Sequence, residues 1–249
     1  MLFYNEEVTP PSAYLPASSP LDQTWDGYDA YLFDIDGTLL REPNRVHYLA
    51  FVQCLQEVMG RPISLEGITV HGSTDPAILR DAFAAAHISD DEWLHREPAI
   101  LARLNEIVLS QRECIAIRVM PGVQQTLEHL QSRGIALGVA TGNLEQIGWL
   151  KVELSGLRHY FTFGGFSDRF PLRADMIAHA AEAARAAAGN SASICVVGDT
   201  PSDISAASAN GLPTIAVATG IYTVDQLAAC RPAFCVPTLE HLLSPAISV

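Results

Sequence analysis

Lysine is almost absent from this chain. Lys151 is the single one among 249 residues, against fourteen arginines. Basic residues of either kind are outnumbered, 15 to 28, which leaves a formal charge of −13. That balance excludes nucleic acid as a partner, because phosphate backbones need basic surface. It does not exclude a small anion, since a few arginines or a bound cation reverse the field inside a cleft. Cysteine is also scarce. Cys54, Cys114, Cys195, Cys230 and Cys235 are odd in number and form no Cys-x-x-Cys pair, so no disulfide framework is expected and a reducing cytosol is the natural compartment. Cys54, Cys114 and Cys195 lie in apolar segments and read as small core residues. No apolar run is long enough to cross a bilayer, and no basic region followed by an apolar stretch opens the chain, so neither a membrane span nor a secretory leader is expected. The eight histidines are scattered without ligand spacing, which argues against zinc.

Apolar residues make up 49% of the chain, enough for one large domain or a core carrying an insertion. Residues 1–27 are rich in Pro, Ser and acids and read as an irregular extension whose aromatics (Phe3, Tyr4, Tyr14, Trp25) could dock on the body. A strand ends at Asp34. Residues 43–118 then change to helical spacing: Val46 to Met59, stopped by Gly60-Arg61-Pro62; Asp75 to His87, with Asp75 as the N-cap and Pro76 first in the helix; and Asp90 to Leu109, interrupted near Pro98. From Pro121-Gly122 onward strands and helices alternate, with strands at Ile135–Ala140, within Tyr160–Phe166, at Ser193–Val197 and at Thr214–Val217. The expectation is an α/β protein, a doubly wound Rossmann-like parallel sheet formed by 28–42 and 119–249, with an all-helical cap inserted at 43–118.

The most informative run is Phe33-Asp34-Ile35-Asp36-Gly37-Thr38. In a strand, Asp34 and Asp36 point to the same side, and two like charges held that close need a cation or a proton between them. A magnesium site and an acid–base pair both answer that need; an Asp-Gly surface turn is the plain alternative. The design recurs: Ile194 to Gly198 ends in Asp199, with Asp203 one helical turn on, and Ile135 to Ala140 ends in Thr141-Gly142-Asn143. Open parallel sheets bind ligands at that carboxyl edge.

With these motifs the chain resembles the haloacid dehalogenase-like hydrolase superfamily, in its phosphatase branch, from about Asp29 onward. Thr141-Gly142-Asn143-Leu144-Glu145 with Lys151 beyond it, and Gly72-Ser73-Thr74-Asp75-Pro76, resemble a phosphoglycolate phosphatase-like subgroup. The resemblance implies Asp34 as a nucleophile forming an aspartyl-phosphate, and Asp36 as the general acid–base. It implies a Mg²⁺ site from Asp34, the backbone carbonyl of Asp36, Asp199 and Asp203. Thr141 and Gly142 would hold phosphoryl oxygens, aided by the dipole of the helix that follows, with Asn143 either touching substrate or capping that helix. Thr74 would meet the substrate from the cap loop, where Arg45, His71 and Arg80 are further candidates. The lysine clamp in a Lys-Pro segment that is common in the superfamily is missing; Arg173 takes the matching place, with Lys151 as its competitor. The implied activity is hydrolysis of a small phosphorylated metabolite, phosphoglycolate-like by default, with sugar phosphates and nucleotides close behind, by a cytoplasmic monomer or homodimer. A phosphomutase and a non-catalytic binding protein on the same fold are the alternatives.

Overall fold

The computed structural model describes residues 24–243. Short apolar runs form six parallel strands: β1 (Ala30–Phe33), β4 (Ala136–Ala140), β5 (Phe163–Gly165), β6 (Ile194–Gly198), β7 (Thr214–Val217) and β8 (Phe234–Val236). Their order is β5-β4-β1-β6-β7-β8. β8, three residues long, is not foreseen from the sequence. Nor are the two-residue strands β2 (Leu40–Arg41) and β3 (Arg118–Val119), which pair antiparallel, Leu40 opposite Val119. The helices of the insertion leave and rejoin the main fold across that pair.

β1 shows why the sheet is covered on both faces. Tyr31 and Phe33 point into a cluster with Val123, Leu127 and Leu130 of α4 (Val123–Ser132) and with Val152 of α5 (Glu145–Leu154). Ala30 and Leu32 point the other way, into Met176, Ile177, Ala180 and Ala184 of α6 (Arg173–Ala188) and Ala207 of α7 (Pro201–Ala209). The alternation is the period-two geometry of a strand, and burial on both faces is what parallel sheets require. Alanine suits α6, because close approach leaves no room: a Cβ on Gly165 would lie 2.5 Å from that of Ala180. Two short helices, α8 (Val224–Ala228) and α9 (Glu240–Leu243), follow β7 and β8.

The inserted helices are α1 (Val46–Met59), α2 (Asp75–Ala85) and α3 (Asp90–Ser110). They share a core of their own, in which Phe51, Leu55, Leu79, Phe83, Trp93 and Leu104 are buried. Leu144, Ile147 and Leu150 of α5 belong to the same core, so the insertion is packed onto the parallel-sheet unit through that helix. Gly60 ends α1 in the left-handed region, φ 65°, as its sequence suggests. Pro98 does not interrupt α3, which runs unbroken from Asp90 to Ser110. Pro98 and Leu94, the residue whose carbonyl loses its partner, are both exposed, so water can take that bond. The cap of α2 is Thr74, whose hydroxyl accepts from the Ala77 N–H at 3.3 Å. Asp75 is therefore the first helical residue. Cys114 is exposed rather than in the core, because it lies in a single 3₁₀ turn after α3.

Of the N-terminal extension, only Thr24–Gly27 lies within the described residues; Phe3, Tyr4 and Tyr14 fall outside them. Trp25 is docked. Its ring lies 5.3 Å from that of His129, and its carbonyl accepts from the Tyr31 hydroxyl at 2.6 Å. Asp26 pairs with His129 at 2.8 Å and with Arg133. Partial burial opposes its charge, but Thr24, His129 and Arg133 outweigh that and hold its carboxyl down at about 2. A depressed acid stabilises above its unfolded value of 3.8 and loses that contribution as pH falls through about 2. Asp26→Asn is therefore expected to cost about 1 kcal/mol at pH 7, solvent screening considered. In thermal melts the gap between variant and parent should close toward pH 2; a gap independent of pH would contradict the assignment.

Candidate active site

Three loops at the carboxyl ends of β1, β4 and β6 converge on one cleft, walled on its far side by the inserted helices. After Phe33 the chain leaves the strand. The Asp34 N–H still donates to Val197 O at 2.9 Å, then the backbone folds back so that Leu39 and Leu40 both donate to Ile35 O. Asp34 and Asp36 thus reach the same cleft through a tight turn rather than along one strand. Gly37 is needed in that turn. Its φ is 93°, and a Cβ there would lie 2.4 Å from Asp199 Oδ2. Gly220, after β7, closes on the same atom: its Cβ would lie 1.7 Å away.

Each of the two central acids has its own cation. Asp34, buried, accepts from Arg173 Nη2 at 2.8 Å. Asp36 keeps 40% of its side chain open to the cleft, and Lys151 Nζ donates to both of its oxygens, at 2.9 and 2.8 Å. Asn143 Nδ2 adds a third bond to Asp36 at 2.8 Å. The environments push the two carboxyls apart. Burial, then the neighbouring Asp203 and Asp36, raise Asp34 to about 7 despite Arg173. Enclosure also opposes charge on Asp36, but Lys151 and Asn143 hold it below the usual carboxylate range. Asp199 is pushed well up, by burial first and then by Asp34 and Asp203.

The two cations are not equivalent. Lys151 is fully enclosed, and its three N–H groups are used by Asp36, by Asn143 Oδ1 at 3.0 Å and by His47 Nδ1 at 3.0 Å. A lysine only donates, so His47 Nδ1 accepts and its Nε2 side faces Asp75 Oδ2 at 3.3 Å. Glu42 lies 3.8 Å from Lys151. Arg173 donates from Nε and Nη2 to Asp203 Oδ1, while its Nη1 makes only a 3.5 Å contact, to Gly72 O. Nη1 lies beside Gly142, 3.1 Å from where a Cβ there would be. Of the two, Arg173 has a donor to spare.

Asp34, Asp199 and Asp203 present oxygens within 4.8 Å of one another. Asp203 is the most committed of the three. Besides Arg173 on Oδ1, its Oδ2 accepts from the Thr200 N–H at 3.0 Å and hydroxyl at 2.7 Å, a capping box at the start of α7. Asp199 accepts from the Thr38 hydroxyl at 3.0 Å through Oδ1, and its Oδ2 lies in the cradle of Gly37 and Gly220.

Thr141 is buried, and its Oγ1 accepts from Asn143 Nδ2 at 2.7 Å. Together with Gly142 it lines the cleft. The helix dipole expected to aid them is already answered. The Leu144 N–H donates to Asp75 Oδ2 at 2.9 Å and the Glu145 N–H to Asp168 Oδ2 at 2.7 Å. Thr74 is not brought to the cleft, because its hydroxyl caps α2 and donates to Pro171 O at 2.7 Å. Arg80 pairs with Asp90 on the surface, whereas Arg45 and His71 do line the cleft. Thr38, Glu42 and His47 are given no role by the sequence reading, and Asp75 figures there only as a helix cap and in the loop motif 72–76. Thr38 acts on Asp199, Glu42 and His47 on Lys151, and Asp75 on Leu144, each far off along the chain, which no local pattern signals.

Residues 31–217 match the family described as haloacid dehalogenase-like hydrolase. The chain belongs to that family. Among relatives, it is 29% identical over 225 residues to "Probable phosphatase IndB" of Dickeya dadantii, covering 86% of this chain and 92% of that one. It is 28% identical over 219 residues to a "Phosphoglycolate phosphatase" of Pseudomonas savastanoi pv. phaseolicola, covering 85% and 77%. A crystal structure described as a predicted phosphatase from Clostridium acetobutylicum shares the fold, with a TM-score of 0.65 at 18% identity over 86% of this chain and 96% of that one. The family resemblance drawn from the motifs is thereby borne out, as is the α/β fold. Among the described residues no helix is long and apolar enough to cross a membrane.

Replacing Lys151 by an uncharged side chain of similar length would leave Asp36 and Glu42 without their cation. Lys151→Met is expected to cost about 3 kcal/mol of stability. In the Asp36→Asn background the same change should cost less, with a coupling of about 1 kcal/mol or more. Additive losses in a denaturation cycle would contradict the pairing.

Proposed function

We propose that this hydrolase is a Mg²⁺-dependent phosphatase of a small phosphomonoester metabolite, working through an aspartyl-phosphate on Asp34. The observation that carries the reading is two acids in one cleft with opposite surroundings. Asp34 lies beside Arg173 with an oxygen to spare, and Asp36 is partly open and held by Lys151 and Asn143. The relatives named as phosphatases support the same reaction class.

In this reading Asp34 attacks phosphorus, and Arg173 Nη1, the Thr141 hydroxyl and the Gly142 N–H hold the phosphoryl oxygens as charge develops. Asp36 gives a proton to the leaving alcohol, then takes one from the water that attacks the aspartyl-phosphate. Lys151 favours the ionised form of Asp36, which suits the second half. For the first half, the negative charge of an arriving phosphate raises the proton affinity of Asp36. The all-oxygen donor set fits a hard divalent cation, which would offset the burial and the neighbouring acids that raise Asp34 and Asp199. Magnesium held by Asp34, Asp199 and the Asp36 carbonyl would supply charge neutralisation to the phosphoryl group. Asp203 then acts one layer out, fixing Arg173.

Phosphate release from phosphorylated metabolites is expected with Mg²⁺ and not with EDTA, and Asp34→Asn is expected to abolish it. Arg173→Ala is expected to lower kcat about 10²- to 10³-fold. Asp199→Asn should also remove the Mg²⁺-induced rise in Tm, a readout independent of turnover. Metal-independent release, or full activity in Asp34→Asn, would sink the proposal.

A further inference from the structure

The cleft extends well beyond the acids. Its volume is about 830 Å³, within the roughly 300–1,000 Å³ of sites that enclose drug-sized ligands and far larger than a phosphoryl group and a two-carbon acid require. The inserted helices contribute polar residues to it, Arg45, His47, His71, Ser73 and Asp75. Beside them stands an apolar wall: Tyr48 and Phe51 of α1, Leu65, Ile68 and Val70 of the loop after it, and Ile78 of α2. Tyr48, Ile68 and Val70 are half-buried and packed on the buried core of the helical insertion, so they offer a supported apolar wall to whatever enters.

Arg41, Arg45 and His71 share the cleft with that wall. Arg41 donates to Thr219 O at 2.9 Å, and the Arg45 guanidinium lies 4.1 Å over the Tyr48 ring, a cation–π contact that steadies that ring. A small acid set against the wall would lose the hydration of its carboxylate for little return. A flat apolar ring would gain from burial and from Tyr48.

We propose that the leaving group is an alcohol carrying an aromatic or heteroaromatic ring, seated on Tyr48, Ile68 and Val70, and that a two-carbon acid phosphate fits poorly. This rests on the phosphatase reading above. The test compares kcat/KM, with Mg²⁺, for benzyl phosphate, uridine 5′-monophosphate, 2-phosphoglycolate and acetyl phosphate, in the parent chain and in Ile68→Asp and Val70→Asp. At least one ring-bearing substrate is expected to exceed 2-phosphoglycolate by about tenfold or more. The aspartate variants are expected to cut that ratio by about threefold or more. Both substrates are read on the same protein, so partial loss of fold scales both and leaves the ratio alone. Preference for benzyl phosphate or for the nucleotide supports the proposal either way and separates a carbocyclic ring from a nucleoside. Acetyl phosphate hydrolysis with 2-phosphoglycolate equal to or better than both ring substrates overturns it while the phosphatase reading stands, and so does a ratio unmoved in both variants. Hydrolysis of none of the four overturns both.

Discussion

Burying several carboxylates in one cleft is the constraint on which the rest of this structure depends. Asp34, Asp36, Asp199 and Asp203 meet there, and Arg173 and Lys151 are the cations in contact with them. Unpaired buried charge is costly by several kcal/mol, so each cation is tied to its own acids: Arg173 to Asp34 and Asp203, Lys151 to Asp36. Asp199 receives a neutral hydroxyl, from Thr38. The cleft therefore holds more acids than cations, so that protons or a bound cation must balance Asp34 and Asp199, and it keeps spare donors on Arg173 and Gly142. In the proposed reading a divalent cation would bind such a site first and would then turn the local field in favour of a phosphate.

The fold supplies this arrangement through backbone economy rather than long side chains. Three loops from neighbouring parallel strands bring the acids together, and glycine permits the closest approaches. A Cβ on Gly142 would lie 2.3 Å from Ser73 O, and one on Gly72 would lie 2.8 Å from the Thr200 hydroxyl oxygen. Those contacts press the tip of the helical insertion against the loops after β4 and β6. Asp75 completes the seam: its N–H donates to Gly142 O at 2.7 Å, and its carboxylate caps α5 from outside. The insertion therefore does two things at once, since it fixes the loop that carries Thr141 and Gly142 and it walls the cleft on the far side.

The architecture was legible where a pattern is local. Buried runs before Asp34, Thr141 and Asp199 marked the strands and hence the edge at which the acids gather, and Gly60-Arg61-Pro62 marked the end of α1. Strands of two or three residues carry no period to read, so β2, β3 and β8 escaped notice, while the equally short β5 was placed only within Tyr160–Phe166, from the strand–helix alternation around it. The Thr74 cap shifted by one residue from the expected Asp75 because the carboxylate of Asp75 serves another helix. Lys151 could be read as a candidate cation, but that all its donors are consumed by Asp36, Asn143 and His47 is a fact of packing. The same holds for Asp203, whose spacing from Asp199 suggested a shared ion while its oxygens serve Arg173 and the start of α7.

The central claim is that Asp34, the acid beside Arg173, is the proposed phosphoryl acceptor, while Asp36 handles protons. It is tested most directly by acid-quenching the enzyme during turnover of a hydrolysed phosphomonoester and mapping acyl-phosphate by peptide mass spectrometry. The account predicts a hydroxylamine-sensitive phosphoryl group on Asp34. A phosphoryl group on Asp36 or on another residue, or turnover with no phosphoenzyme under quench conditions that preserve acyl-phosphates, would contradict it.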